Sequence, residues 1–306
     1  MELIDVSSWK GDEKYEIFPI GAREKQMLWS PIDQVHSLVK PNWPYLFKES
    51  ISRYPDQFWT EIVAYIVAEH LSMDVPKALP AVRVDSDGQR YGALIKWFYD
   101  VDTEVFIHGE EFFKKLNAKF DDKLGTQHNL TDLNIICRAM SQHEALSDKP
   151  IDWLTDMFLY DSLIGNTDRH QVNWGFIFKQ DSTSCLSPLF DNGTSLGHER
   201  FIDQVSKWDI NKFNSYLMKG NHHLRFTRQD PKLRIGHMTS IEMLARRKSS
   251  KDRMLDKLSK FDLDSALEEI EKLTSIECDE RFTKDRYRWI AKIITARHMK
   301  IIEILK

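Results

Sequence analysis

A carboxylate followed five positions later by an amide stands in Gly165-Asn166-Thr167-Asp168-Arg169-His170-Gln171-Val172-Asn173-Trp174. That pairing suits phosphoryl transfer: an Asp can orient an attacking hydroxyl and take its proton, while an Asn oxygen on the same loop can hold a divalent cation. Magnesium favours oxygen ligands and few protein ones. A second carboxylate follows in Pro188-Leu189-Phe190-Asp191-Asn192-Gly193, after an apolar run and before a glycine expected to let the chain turn sharply. Between the two lie a strand-like stretch at 174–178, a polar turn at 179–184 and a second strand-like stretch at 185–190, so a hairpin would return Asp191 to the side of Asn173. The order Asp168, Asn173, Asp191 is the order base, metal ligand, metal ligand used by kinases. Singly, each member is weak, because Asp or Asn before glycine is ordinary turn chemistry.

A phosphate-binding cation should come from elsewhere in the chain. Residues 27–29 and 44–48 are short apolar runs consistent with strands, and Lys48 ends the second. An amphipathic helix is predicted over 57–71 from Phe58, Ile62, Tyr65 and Ile66, stopped by Asp74-Val75-Pro76 and carrying Glu61 near its start. A strand Lys held by a helix Glu is a standard way to reduce phosphate repulsion. Taken alone, Lys48 reads rather as a solvated strand end and Glu61 as an exposed helix charge. Upstream, Gly21-Ala22-Arg23 offers a backbone turn that could cover phosphates, although one glycine is not a G-x-G-x-x-G loop.

A hairpin is predicted from 81–84, the turn 85–88 and 91–98, whereas beyond about residue 100 helical spacing dominates, at 131–140, 151–164, 240–260, 263–273 and 285–305. The expected class is therefore α+β and bilobal, with a β-rich N-lobe at 1–99 and a mostly helical C-lobe at 100–306. A chain of 306 residues with 42% hydrophobic and 11% aromatic residues has ample core. Its three cysteines, Cys137, Cys185 and Cys278, are too far apart for a metal clip or a disulfide framework, which fits a reducing cytoplasmic setting. No signal peptide or membrane-length apolar run is visible, though export by a route without a signal leaves no mark. The net charge of −4 gives no global attraction to nucleic acid, and the basic stretch 228–260 reads as a solvated helix face. His198, His222 and His223 show no metal-ligand spacing and are expected at the surface or in loops.

Gly21-Ala22-Arg23-Glu24-Lys25, Lys48, Asp74-Val75-Pro76, the Asn166–Asp168-Arg169-His170 run with Asn173-Trp174, and Pro188-Leu189-Phe190-Asp191 together resemble the HipA-like kinase family. The stretch from Trp153 through Phe176 is most similar to its compact CtkA-type subgroup. The resemblance spans most of the chain. It implies a fold related to protein and phosphoinositide kinases, ATP with Mg²⁺ as donor, and a protein Ser or Thr as acceptor. It further implies Asp168 as catalytic base, Asn173 and Asp191 on Mg²⁺, Lys48 on the phosphates, and Lys96, Trp97 and Phe98 offering backbone groups to adenine. Arg169 and His170 would either neutralise developing charge or simply stabilise the loop by hydrogen bonds.

Two departures stand out. Bacterial HipA toxins carry a subdomain ahead of the phosphate loop, whereas Gly21 comes early here, so a partner chain replacing it, or an antitoxin, is an expected partner. The regulatory serine three positions before the loop glycine is Phe18 here, which leaves Ser7, Ser8 and Ser30 as local candidates for modification. Alternatives to a Ser/Thr kinase are a lipid or small-molecule kinase, against which the low basic charge counts, and a pseudokinase, against which the joint presence of Lys48, Asp168, Asn173 and Asp191 counts. Direct nucleic-acid binding lacks a recognition motif.

Overall fold

The computed structural model describes the chain except for residues 13–23, 35, 87, 122–124, 143–145 and 231. Gly21, Ala22 and Arg23, together with Phe18, lie outside the described residues.

The first part of the chain builds a six-stranded sheet from β1 (Ile4–Asp5), β2 (Lys10–Gly11), β3 (Lys25–Trp29), β4 (Pro44–Glu49), β5 (Ala78–Asp85) and β6 (Gly88–Lys96), in the order β1-β5-β6-β4-β3-β2. Helix α1 (Phe58–His70) lies between β4 and β5 in sequence. Register explains where Lys48 points. Pairing of Phe47 with Leu94 and of Lys48 with Ala93 puts alternate residues on opposite faces. Tyr45, Phe47, Leu79, Ala81 and Leu94 form one small core with Ile4, Val6, Trp9 and Leu28, so Lys48 emerges on the other face, toward α1. The β5–β6 hairpin closes between Asp85 and Gly88, and Gly88 takes a φ of 115° that favours glycine.

The helix predicted over 57–71 is present as α1, but it lacks the solvent face its periodicity predicted: every residue from Phe58 to Ala68 is buried. It packs on β5 and β6 on one side and on helices of the second part on the other, so no face is left for solvent.

The rest of the chain contains β7 (Glu104–His108), α2 (Gly109–Leu116), α3 (Leu130–Ser141), α4 (Pro150–Ile164), β8 (Gly175–Lys179), β9 (Ser184–Leu186), α5 (Ile202–Val205), α6 (Ile210–Met218), β10 (Asn221–Arg225), β11 (Arg234–Gly236), α7 (His237–Ala245), α8 (Lys248–Lys260), α9 (Leu263–Lys272) and α10 (Lys284–Leu305). The expected hairpin is present as β8–β9, but β7 pairs with β8 to make a three-stranded sheet, and residues 187–190 leave the ladder. The helix predicted over 240–260 is two helices. Arg247 adopts extended backbone between them, which lets α7 and α8 each pack on α4.

Helix α4 positions the catalytic candidates. Proline at its N-terminus suits the first turn, and Gly165 caps its C-terminus at φ 69° with its N–H bonded to the Asp161 carbonyl. Buried positions run continuously from Met157 to Ile164, so the helix delivers the loop that follows it from the middle of the main core. The basic stretch beyond α7 is largely neutralised: Arg253 pairs with Asp156 at 2.6 Å and with Asp152 at 3.4 Å, and Lys260 with Asp256 at 2.8 Å. Among the described residues no helix is long and apolar enough to cross a membrane.

Candidate active site

Lys48 reaches across from β4 to two carboxylates. Its Nζ lies 2.6 Å from Glu61 Oε1 and 2.6 Å from Asp191 Oδ1. The Lys48 and Glu61 side chains are almost fully buried, while that of Asp191 retains 30% exposure toward the cleft. Glu61 also accepts the Asn192 N–H at 2.9 Å. The same helix end donates twice to the Gly193 carbonyl, from Gln57 Nε2 and Thr60 Oγ1, each at 3.0 Å. The first turns of α1 therefore fix the backbone that presents Asp191. The sharp turn expected at Gly193 is made by Asp191 itself, at φ 57°. Aspartate tolerates this region better than most residues because its short side chain can bond locally.

The loop 165–173 is organised by its own amides. Asn166 Oδ1 accepts the Asp168 N–H at 2.9 Å, and Asn173 Nδ2 donates to the Asp168 carbonyl at 2.8 Å. Because that carbonyl can only accept, the Asn173 atom facing it is the NH₂ group, which turns Oδ1 away as an oxygen ligand. An amide oxygen of Asn173 with the carboxylate of Asp191 is a hard-oxygen donor set that fits Mg²⁺. Among the described residues no group of three or more His, Cys, Asp or Glu side chains converges as a metal cage. A kinase-type Mg²⁺ site needs no such cage, since phosphate oxygens and water complete it.

The bonds that Arg169 makes fit the loop-stabilising role considered for it. Its guanidinium is buried and grips Asp161 by two bonds of 3.1 and 2.7 Å, Asn192 Oδ1 at 2.6 Å, and the Phe190 carbonyl. It thus ties the loop 165–173 to the segment carrying Asp191 through four of its five N–H donors. Burial raises the pKa of the Asp161 carboxyl, and the Arg169 guanidinium works against the rise. His170 sits with its ring edge toward His223, centroids 5.7 Å apart, and its Nδ1 accepts from the Val172 N–H at 3.4 Å.

Lys96, Trp97 and Phe98 have different surroundings. Lys96 pairs with Tyr45 in register and so faces away from Lys48, into a cavity of 450 Å³ that Lys40 and Lys77 also line. Burial first, then the charges of Lys40 and Lys77, lower its pKa. The backbone of Trp97 is already used, its N–H on the Pro44 carbonyl at 3.0 Å and its carbonyl under Trp43 Nε1 at 2.9 Å. Phe98 stacks on Phe190 at 4.9 Å, directly beside Asp191.

The histidines expected at the surface or in loops are all buried, His198 in a turn and His222 and His223 on a strand. His198 lies against Tyr54, and His222 and His223 lie on β10 against the main core and the catalytic loop. Burial first, then nearby arginines, pushes both His222 and His223 down to about 3. Ser30 is also buried, its hydroxyl donating to the Lys40 carbonyl at 2.7 Å. The segment after Asp191 is packed down, with Ser195 Oγ bonded to the Asn192 carbonyl at 2.6 Å and the Leu196 N–H to the Ile164 carbonyl at 2.8 Å. Sequence reasoning missed Gln57, Thr60, Asp161 and Asn192. Only Asp161 left a signal, as a lone charge inside the apolar run 157–164.

The chain belongs to the HipA-like C-terminal domain family, whose model matches residues 19–248. A curated relative, the serine/threonine-protein kinase CtkA of Helicobacter pylori strain J99, is 37% identical over 68 residues, a match spanning 22% of this chain and 21% of that protein. The crystal structure of the H. pylori proinflammatory kinase CtkA superposes with a TM-score of 0.76 at 19% identity, covering 99% of this chain and 96% of that one. The bilobal kinase-like fold is therefore shared over the whole length. Shewanella oneidensis HipA, solved with HipB and operator DNA, aligns at a TM-score of 0.47 and 12% identity over 95% of this chain and 66% of that one.

Proposed function

We propose that this chain is an ATP-dependent protein Ser/Thr kinase that works with Mg²⁺. Residues 1–99 would form the lobe over the nucleotide and 100–306 the lobe that carries the catalytic loop. The observation that carries the reading is Lys48 bonded at once to Glu61 and to Asp191, beside a loop in which Asp168 and Asn173 are locked together.

Lys48 would hold the nucleotide phosphates with Glu61 keeping it in place, and Asp168 would receive the proton of the acceptor hydroxyl. The hydroxyl oxygen then forms the new bond to the γ-phosphorus as the bond to the bridging oxygen of ADP breaks. Mg²⁺, held by Asn173 and Asp191, would neutralise charge on the phosphate oxygens. Arg169 acts through other residues, keeping Phe190 and Asn192 against the loop. The family membership and the name of the curated relative support a Ser or Thr acceptor in a protein.

The test is transfer of labelled γ-phosphate from Mg-ATP to the protein itself and to a cell lysate, comparing wild type with Asp168→Ala and Asp191→Ala. Label on Ser or Thr that falls by roughly 10²–10⁴-fold in Asp168→Ala, and as steeply in Asp191→Ala, is the expected result. Label confined to lipid, or wild-type transfer no greater than that of the two variants, would overturn the reading.

A further inference from the structure

We infer that His237 is a positioning residue for the catalytic loop, the middle member of a buried chain running Arg297, His237, Asn166, Asp168. This rests on the proposed role of Asp168. His237 opens α7 and is 1% exposed, and its Nε2 lies 2.8 Å from the Asn166 carbonyl. Asn166, itself inaccessible, then orders the next link by accepting the Asp168 N–H on its side-chain oxygen.

The proton on His237 is placed by its neighbours. Its Nδ1 lies 3.2 Å from Arg297 Nη1, and a guanidinium can only donate. Nδ1 is therefore the acceptor, Nε2 carries the hydrogen, and that hydrogen is directed at the Asn166 carbonyl. A charged imidazole would set cation against cation. Burial first, then His222 and Arg297, holds the His237 pKa well below its ordinary value, so the ring stays neutral.

Arg297 is an unusual anchor. It is buried on α10 with no carboxylate at ion-pair distance among the described residues, and burial lowers its pKa to about 10. Its partners are the Ser162 carbonyl at 2.9 Å and the Leu217 carbonyl at 3.5 Å, in the last turns of α4 and α6. Both are the negative ends of helix dipoles, where a cation is stabilised. Space for the junction comes from Gly220, where a Cβ would stand 2.6 Å from His237 Nδ1 and 2.7 Å from the Arg297 guanidinium. The C-terminal helix is in this way linked to a loop that has no regular secondary structure of its own.

The test compares His237→Gln, which keeps an N–H at the same reach, with His237→Met, which keeps bulk and loses the donor. Three readouts are taken: amide hydrogen exchange over residues 165–173, kcat and KM for ATP in phosphotransfer, and Tm. For His237→Met the expected results are loop exchange faster by about tenfold or more, and kcat lower by roughly 10–100-fold with KM within about twofold. His237→Gln should stay within about threefold of wild type in exchange and kcat. If His237→Met does not fold, His237→Asn, whose shorter amide cannot reach the Asn166 carbonyl, takes its place in the comparison. Equal behaviour of the Gln and Met (or Asn) variants, or wild-type loop exchange without the donor, overturns the inference. Were wild type to show no transfer, the kinase reading would fail while the exchange comparison still decided the role of His237.

Discussion

Arg169→Met removes the cation that joins the two halves of the site, and the structure sets the size of the effect. Asp161 is fully inaccessible and receives two charge-assisted bonds from Arg169. Deleting one partner of such a pair leaves a buried charge uncompensated, at a cost of about 3–5 kcal/mol. Out of a total stability of roughly 5–15 kcal/mol that is a large fraction, readable as a lowered urea midpoint. The double variant Asp161→Leu/Arg169→Met removes both charges and should regain at least about half of the loss, because well-packed apolar replacements of buried pairs are often neutral. It should not regain activity. The same guanidinium holds the Phe190 carbonyl and Asn192, on either side of Asp191, and misplacing a catalytic group by about 1 Å can lower a rate roughly a hundredfold. Equilibrium unfolding and phosphotransfer are measured on the same preparations. A single variant costing under about 1 kcal/mol, or a double variant that recovers rate together with stability, would refute the argument that Arg169 is a clamp.

Lys48→Met should lower kcat/KM for ATP by about a hundredfold or more, since it removes a cation bonded to both Glu61 and Asp191; steady-state kinetics showing a loss under about fivefold would count against the assignment of Lys48 to the phosphates. Acid should unfold the protein early. His222 and His223 have native pKa values of about 3 against an ordinary 6.5, so below about pH 6.5 the unfolded chain binds more protons than the folded one. Their contribution is complete above about pH 6.5 and falls with pH by about 1.4 kcal/mol per unit for each, roughly 5 kcal/mol for the pair at pH 4.5. Urea midpoints measured from pH 7.5 to 4.5 should decline accordingly, and a flat profile would contradict the burial of these rings.

The β5–β6 and β8–β9 hairpins and the order of Lys48, Asp168, Asn173 and Asp191 were legible because each depends on local alternation, turn residues or the order of residues along the chain. Period-two alternation puts Lys48 opposite Phe47 whatever the rest of the chain does. What was not legible depends on burial by distant segments. Helix α1 reads as amphipathic, yet it is covered on all sides because helices at least 80 residues further along the chain pack on its second face. The burial of His222 and His223 follows from where β10 lands, which no spacing within the sequence records. The role of Arg169 was undecided in the sequence because both readings required only that it neighbour Asp168. Asp161 supplies the partner that the loop-stabilising reading lacked, and an isolated carboxylate in an apolar helix could have been taken as a demand for a buried cation.

Neither the loop 165–173 nor the stretch 190–193 has regular backbone bonding, so their relative placement must come from side chains. Glu61, Gln57 and Thr60 on α1 hold the second stretch through the Asn192 N–H and the Gly193 carbonyl. Asn166 and Asn173 hold the first through the Asp168 N–H and carbonyl. Arg169 joins them, and Lys48 closes the circuit from the sheet to Asp191. Apart from Asp168 and Asp191, these side chains are all buried, where an unpaired polar group costs more than it would at the surface. A network of that kind resists partial change: a small displacement breaks several bonds at once instead of stretching one. The positions of the proposed base and metal ligands are thereby fixed by the protein itself, as electrostatic catalysis of phosphoryl transfer requires.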